Sequence, residues 1–263
     1  MVKKKKVMDW VYLSAHLDDV ALSCGGLVWE QAHAGLRPSI WTICAGDPPP
    51  GVLSPFAHAL HDRWQSGEEA VKQRRAEDIA SCRVLGASYR HLPIPDCIYR
   101  RGPGDGEVLY PTEASLFGAL HEQEAGLVER LSEELANSLP RQAVVVAPLA
   151  IGGHVDHRLT RAAVERLFLD PPAGVGWFLW YYADYPYAGK HSAELAQILQ
   201  DESWEWCIFP VSGRGLDAWQ RAVAAHASQI STFWRNLEQM RLELTAYARQ
   251  SGGLRLWRRK SSR

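Results

Sequence analysis

The chain has 263 residues, 46% of them hydrophobic and 22% charged, with 29 Lys+Arg against 30 Asp+Glu. That size and apolar content suffice for a core without disulfide or metal staples and exclude low-complexity disorder. A net charge of −1 removes the electrostatic ground for a nucleic-acid or anionic-membrane partner.

Five scattered cysteines, Cys24, Cys44, Cys82, Cys97 and Cys207, form no CxxC pair, which fits a reducing compartment. No stretch reaches the ~18 apolar residues of a membrane span. Met1–Lys6 is basic, but Asp9, His16, Asp18 and Asp19 interrupt the apolar stretch after it, so no secretory h-region is expected and the protein is read as cytoplasmic.

In chain order, Asp9–Ser14 reads as a buried strand and Val20–Ala34 as a helix capped by Gly35, with a second strand at Ser39–Cys44. Ala45–Ser66, with Pro48 to Pro50 and Pro55, reads as a long loop of the kind that serves as a lid or binding loop. A helix over Gly67–Leu85 closes at Gly86, then come a strand at Tyr89–Leu92 and a second Pro/Gly-rich loop to Pro111. Thr112 is expected to cap a helix running to about Ser138. The Ala143–Ala147 run (AVVVA) suits a strand covered on both faces. Beyond it the pattern gives a helix to about Leu169, a strand at Trp177–Tyr182, a helix at Ala193–Gln200 and a strand at Trp204–Phe209. Helices over Leu216–Trp234 and Leu237–Arg249 end the pattern, and the basic tail (Arg255, Arg258, Arg259, Lys260, Arg263) reads as a solvated terminus. The alternation predicts one α/β domain over 1–263, a Rossmann-like, mostly parallel sheet with helices on both faces, with a helical C-terminal segment from about 215.

Two clusters can carry chemistry. Ala15-His16-Leu17-Asp18-Asp19 comes directly after the first strand, and Gly152-Gly153-His154-Val155-Asp156-His157 directly after the Val-rich one. In a parallel sheet both strand ends reach the same rim, where ligands bind. Imidazole and carboxylate suit Zn²⁺, which in catalytic sites takes three protein ligands and one water. His16, Asp19 and His157 are the expected ligands, with Asp18 left as the base for a water whose pKa zinc lowers from 15.7 to about 7. The competing reading makes Asp18 and Asp19 helix caps and the histidines ordinary loop residues. Arg74 and Glu77, one turn apart, form either a substrate contact or a surface pair. Trp64, Trp180 and Tyr185 are candidates for sugar stacking or for packing. His61 stands out among the remaining histidines because it lies in the long loop. Gly25-Gly26 lacks the spacing of a dinucleotide fingerprint.

The strings Ser14–Gly26 and Gly153–His157 resemble the PIG-L/LmbE-like family of zinc-dependent sugar N-deacetylases. Arg74-Arg-Ala-Glu77, Asp96 in Pro95–Arg100, and His226-Ala-Ser-Gln229 extend the likeness. The Phe56–Trp64 segment and Tyr182–Ala188 look most like the branch acting on glycopeptide antibiotics. The resemblance implies hydrolysis of an N-acetyl or N-acyl group from an amino sugar or glycoconjugate, with one zinc on His16, Asp19 and His157. It further implies Asp18 as base, His154 oriented by Asp156 as oxyanion or leaving-group partner, and Arg74 and Asp96 as sugar contacts. Leu17 and Val20 replace the commoner Pro and Glu, and Gly152 stands where some members carry a tyrosine that donates to the oxyanion. A metal-dependent phosphoester hydrolase and a non-catalytic metal-containing sugar-binding protein are the alternatives.

Overall fold

The computed structural model describes residues 8–104, 106–250 and 252–260. The basic start Met1–Lys6 and Arg263 of the tail lie outside the described residues. Seven strands form one sheet: β1 (Asp9–Ser14), β2 (Pro38–Thr42), β3 (Ser88–His91), β4 (Gln142–Pro148), β5 (Gly176–Tyr182), β6 (Trp204–Phe209) and β7 (Leu254–Arg259), in the order β3-β2-β1-β4-β5-β7-β6. The first five pair in parallel, whereas β7 runs antiparallel to both β5 and β6.

The helices are α1 (Asp19–His33), α2 (Pro55–Trp64), α3 (Ala70–Leu85), α4 (Ala125–Ser138), α5 (Val155–Leu169), α6 (Tyr187–Lys190), α7 (Ser192–Ile198), α8 (Gly213–Ala224), α9 (Ala227–Phe233) and α10 (Leu237–Gln250). They cover both faces of the sheet, as the alternating pattern implies. On one face Val145 and Ala147 of β4 pack with Leu131 and Leu135 of α4 and Leu159 of α5. On the other, Val144 and Val146 meet Leu27 of α1, Leu85 of α3, Trp219 of α8 and Leu244 of α10. The Val run of β4 is therefore buried on both sides, for the reason that made it legible. A third apolar cluster joins Ala57 and Trp64 of α2 to Ile98, Tyr99, Tyr110 and Leu116.

Some expectations fail. The long loop contains α2, because Ser54 caps it by accepting from the Ala57 N–H at 3.0 Å and Pro55 sits at its first position. Thr112 caps only a short 3-10 turn (Glu113–Leu116), and the α-helix expected from it begins at Ala125. The basic tail is a strand: Leu254 and Leu256 enter the core while Arg258 lies 4.8 Å over the Trp180 ring and Arg259 lies 4.1 Å over Trp204. Its arginines are thus stacked and paired, Arg258 with Glu205 at 2.5 Å. The helix expected over Leu216–Trp234 is also divided, since His226 (φ −81°, ψ 59°) leaves helical geometry between α8 and α9.

The five cysteines are free, four of them buried and Cys207 exposed. No helix among the described residues is long and apolar enough to cross a membrane.

Gly25 and Gly26 serve packing. The Trp219 indole, fully buried and donating to the Ala21 carbonyl at 2.7 Å, lies where a Gly25 side chain would stand. Gly25→Ala is therefore expected to lower stability by about 1–3 kcal/mol, the overlap outweighing the ~1 kcal/mol that alanine adds to helix propensity. Urea unfolding measures this, and an unchanged midpoint would show that α1 and α8 can part without cost.

Candidate active site

The chain places β2 and β3 on one side of β1 and β4 and β5 on the other, so the strand order switches direction between β1 and β4. Such a switch point opens a crevice at the C-terminal strand ends. Both expected clusters sit there, one at the β1–α1 corner and one at the β4–α5 corner.

At the first corner, Asp19 Oδ2 accepts from the His16 backbone N–H at 2.7 Å, and Ser14 Oγ donates to the His16 carbonyl at 2.7 Å. These bonds hold the turn that carries His16. Asp18 occupies the N-cap position of α1 yet makes no side-chain cap bond, so capping does not account for it. At the second corner, Gly152 (φ 84°) and Gly153 (φ 73°) take left-handed backbone, turning His154 and His157 back over the crevice.

The side chains converge. His16 Nδ1 lies 3.5 Å and His157 Nε2 3.4 Å from Asp19 Oδ2. The outer nitrogen of each imidazole meets a buried carboxylate: His16 Nε2 with Asp156 Oδ2 at 2.9 Å, and His157 Nδ1 with Asp184 Oδ1 at 2.6 Å. Ring nitrogens of His16, His154 and His157 lie within 4.8 Å of one another. Bonds of about 2.0–2.1 Å at tetrahedral angles space ligand atoms roughly 3.3 Å apart, so the two separations to Asp19 fit one Zn²⁺-sized ion. The donor chemistry, two imidazoles with a carboxylate-backed outer nitrogen and one carboxylate, also suits that metal.

Charge is concentrated here. Burial alone would lower the His16 pKa, but Asp96, Asp156 and Asp19 outweigh it and hold it well above the usual histidine range. Burial also works against His157, yet Asp19 and Asp184 push its pKa up to about 10. His154 goes the other way: burial and then the neighbouring His16 charge hold it well below the usual range, and its Nδ1 accepts from the Asp156 N–H at 3.3 Å. With Nδ1 acting as an acceptor, a neutral His154 would carry its proton on Nε2. Burial, reinforced by the Asp19 charge, raises the Asp18 carboxyl, while Arg74 pulls it down.

Arg74 is no surface residue. It is buried, its guanidinium lies 4.8 Å over the Trp64 ring, and it stands 3.9 Å from Asp18 and 3.6 Å from Asp96. Its neighbour Glu77 turns instead to α9, accepting from Ser228 Oγ at 2.6 Å. Asp96 does both things considered for it: Oδ1 caps its own turn at Ile98 N, 3.3 Å away, while Oδ2 faces Arg74 and His16.

One placement needs correcting. The Asp156 carboxylate does not orient His154; it is taken up by His16, Arg100 and the Cys97 N–H, and only its backbone serves His154. Trp180 and Tyr185 do not line the crevice: the first lies under Arg258 and the second packs 4.6 Å from Tyr247. His61 is buried and bonded to the Tyr99 hydroxyl at 2.7 Å. The sequence reading missed Asp184, Arg100 and Tyr187. Tyr187 lines the crevice with its ring 3.2 Å from where a Gly152 side chain would begin, so its phenol ring fills the space that Gly152 leaves. Phe56, Leu60 and Trp64 of α2, together with Phe117 and Phe233, make part of the lining apolar.

The chain is 35% identical over 185 residues to 2'-N-acetylparomamine deacetylase of Streptomyces fradiae, a match covering 69% of this chain and 58% of that protein. It is 31% identical over 207 residues to the protein of the same name from Niallia circulans, covering 73% and 70%. The chain thus matches less than two thirds of the length of the first relative. Among solved structures, the zinc-inhibited form of teicoplanin deacetylase Orf2 superposes with a TM-score of 0.75 at 26% identity, covering 97% of this chain and 100% of that one. A family model described as PIG-L, GlcNAc-PI de-N-acetylase, matches residues 11–168, from β1 through α5 and across both corners of the crevice, and the chain belongs to that family.

Proposed function

We propose that the protein is a metal-dependent hydrolase that removes an N-acetyl or N-acyl group from an amino sugar or glycoconjugate. The observation that carries this reading is the pairing of one ion-sized nest, His16, Asp19 and His157, with a buried carboxylate, Asp18, that no cap bond occupies. The family and the relatives, named as deacetylases of amino-sugar compounds, point to the amide of an N-acylated sugar as the substrate.

His16, Asp19 and His157 would hold one Zn²⁺, which when bound supplies Lewis acidity and a water of lowered pKa. The chain's own groups do the rest. Asp18, raised by burial and by Asp19, takes a proton from the attacking water as its oxygen bonds to the amide carbon. The neutral His154 donates its Nε2–H to the carbonyl oxygen as negative charge develops there. Tyr187, whose phenol is kept protonated by burial and by the nearby Asp19 and Asp18 charges, brings a second donor to the same crevice. The C–N bond then breaks and the proton held by Asp18 passes to the amine, so that acetate and a free amino sugar leave. Arg74 and Asp96, held against each other across the crevice, are placed to bind sugar hydroxyls. The apolar lining from Phe56, Leu60 and Phe233 suits the less polar part of an acyl group or aglycone.

Metal analysis is expected to find about one zinc per chain, with His16→Ala combined with His157→Ala losing it; retention by the double variant would refute the ligand set. Asp18→Asn is expected to keep zinc while kcat falls by roughly 10²–10⁴, the usual worth of a positioned base. Full turnover in that variant would move the base elsewhere. Acetate release from N-acetylglucosaminyl compounds, run beside p-nitrophenyl phosphate, separates the reaction classes: phosphate release alone would favour a phosphoesterase, and neither product a binding protein.

A further inference from the structure

The two imidazoles of the nest are backed differently. Asp184, behind His157, is anchored by the main chain, accepting from the Ile151 N–H at 2.9 Å, and His157 is its ion-pair partner among the described residues. Asp156, behind His16, is fully buried and tied to a line of side chains. Its Oδ2 takes His16 Nε2 and, at 3.0 Å, the Cys97 N–H, while its Oδ1 takes Arg100 Nη1 at 2.5 Å. The other nitrogens of Arg100, Nε and Nη2, close a fork on the Glu124 carboxylate. Glu124 Oε2 accepts from the Tyr110 hydroxyl at 2.5 Å, the Tyr110 oxygen accepts from the His121 N–H at 2.9 Å, and the guanidinium lies 5.3 Å from the Tyr110 ring. Tyr110, Glu124 and Arg100 are all buried.

A buried ion network is an expensive way to hold loops together, because desolvation offsets most of its Coulombic gain and an apolar cluster of equal volume does as well or better. What such a network supplies is direction. One guanidinium stands between two carboxylates, so Asp156 is held in place yet keeps charge to offer His16. Donation of Nε2–H to Asp156 would leave the Nδ1 lone pair of His16 to an ion bound beside Asp19. We infer that Arg100, Glu124 and Tyr110 are positioning residues of the metal nest, fixing through Asp156 the ring plane and tautomer of His16. This rests on the reading of His16 as a metal ligand.

The test is zinc affinity of the full chain, by competition with a chelator, recorded with melting temperature, kcat and KM. Loss of such outer partners weakens metal binding by about 10–100-fold. Glu124→Gln, which touches neither His16 nor Asp156, is expected to weaken zinc at least about 10-fold and to lower kcat with KM nearly unchanged, because Arg74 and Asp96 are untouched. Tyr110→Phe is expected to shift affinity the same way by less, and Glu124→Asp to recover part of the loss. A merely structural role would lower the melting temperature and leave zinc affinity unaltered in the folded variants; that result overturns the inference. If Glu124→Gln does not fold, Tyr110→Phe, which loses a single hydroxyl, decides by the same criterion. Unaltered protein that binds zinc while the variants bind equally well overturns the positioning roles alone. Unaltered protein that takes up no zinc overturns the reading of the nest and this inference with it.

Discussion

The parallel pairing of β1 with β4 is the constraint on which everything else rests. Their register, Asp9 beside Ala143 through Tyr12 beside Val146, brings two corners separated by about half the chain to one rim. Helices α1 and α5 both start there, and their positive ends favour the acids in their first turns, Asp19 and Asp156. Asp18, Asp19, Asp96, Asp156 and Asp184 are all buried around this point, against two buried arginines, Arg74 and Arg100. Carboxylates in a dry site are costly unless paired, and here His16 and His157 share with the arginines the work of compensating them.

The two arginines divide the work. Arg74, from α3, faces the open crevice between Asp18 and Asp96. Arg100 lies behind the rim, joined to Asp156 and Glu124. The two cations thus meet different sets of carboxylates. Glu77, one turn beyond Arg74, anchors α3 to the start of α9 through Ser228 and so fixes that side of the cleft.

Much of this was legible in the sequence because the informative residues are adjacent to element boundaries. The strands that build the rim are short β-branched or aromatic runs, and each chemical cluster sits directly where a strand gives way to a helix. The α2 helix was equally legible in principle, from Ser54 beside Pro55, but the surrounding prolines and glycines hid it. The β7 strand was hidden by its arginines, although Leu254 and Leu256 alternate as a strand should. Asp184 and Arg100 lie in the strings Tyr182–Ala188 and Pro95–Arg100, but no spacing assigned either a partner, and Glu124 carried no signal. Asp184 meets His157 across 27 residues and Arg100 meets Asp156 across 56, and no spacing rule spans such loops. The exchange of Asp156 from His154 to His16 has the same origin: sequence proximity suggested one partner, and the fold supplied a more distant one.

The insertion of β7 between β5 and β6 has a consequence for how the molecule is assembled. Strand β6 has β7 as its one neighbour in the sheet, and the edge of β5 is closed by β7 as well. During synthesis the crevice-forming strands, complete by Tyr182, can pair in order as they emerge, whereas β6 must wait, its aromatic residues uncovered, until Leu254–Arg259 has been made and threads back into the gap. The interval between those two events is the stage at which a nascent chain of this kind is most open to mispairing with another.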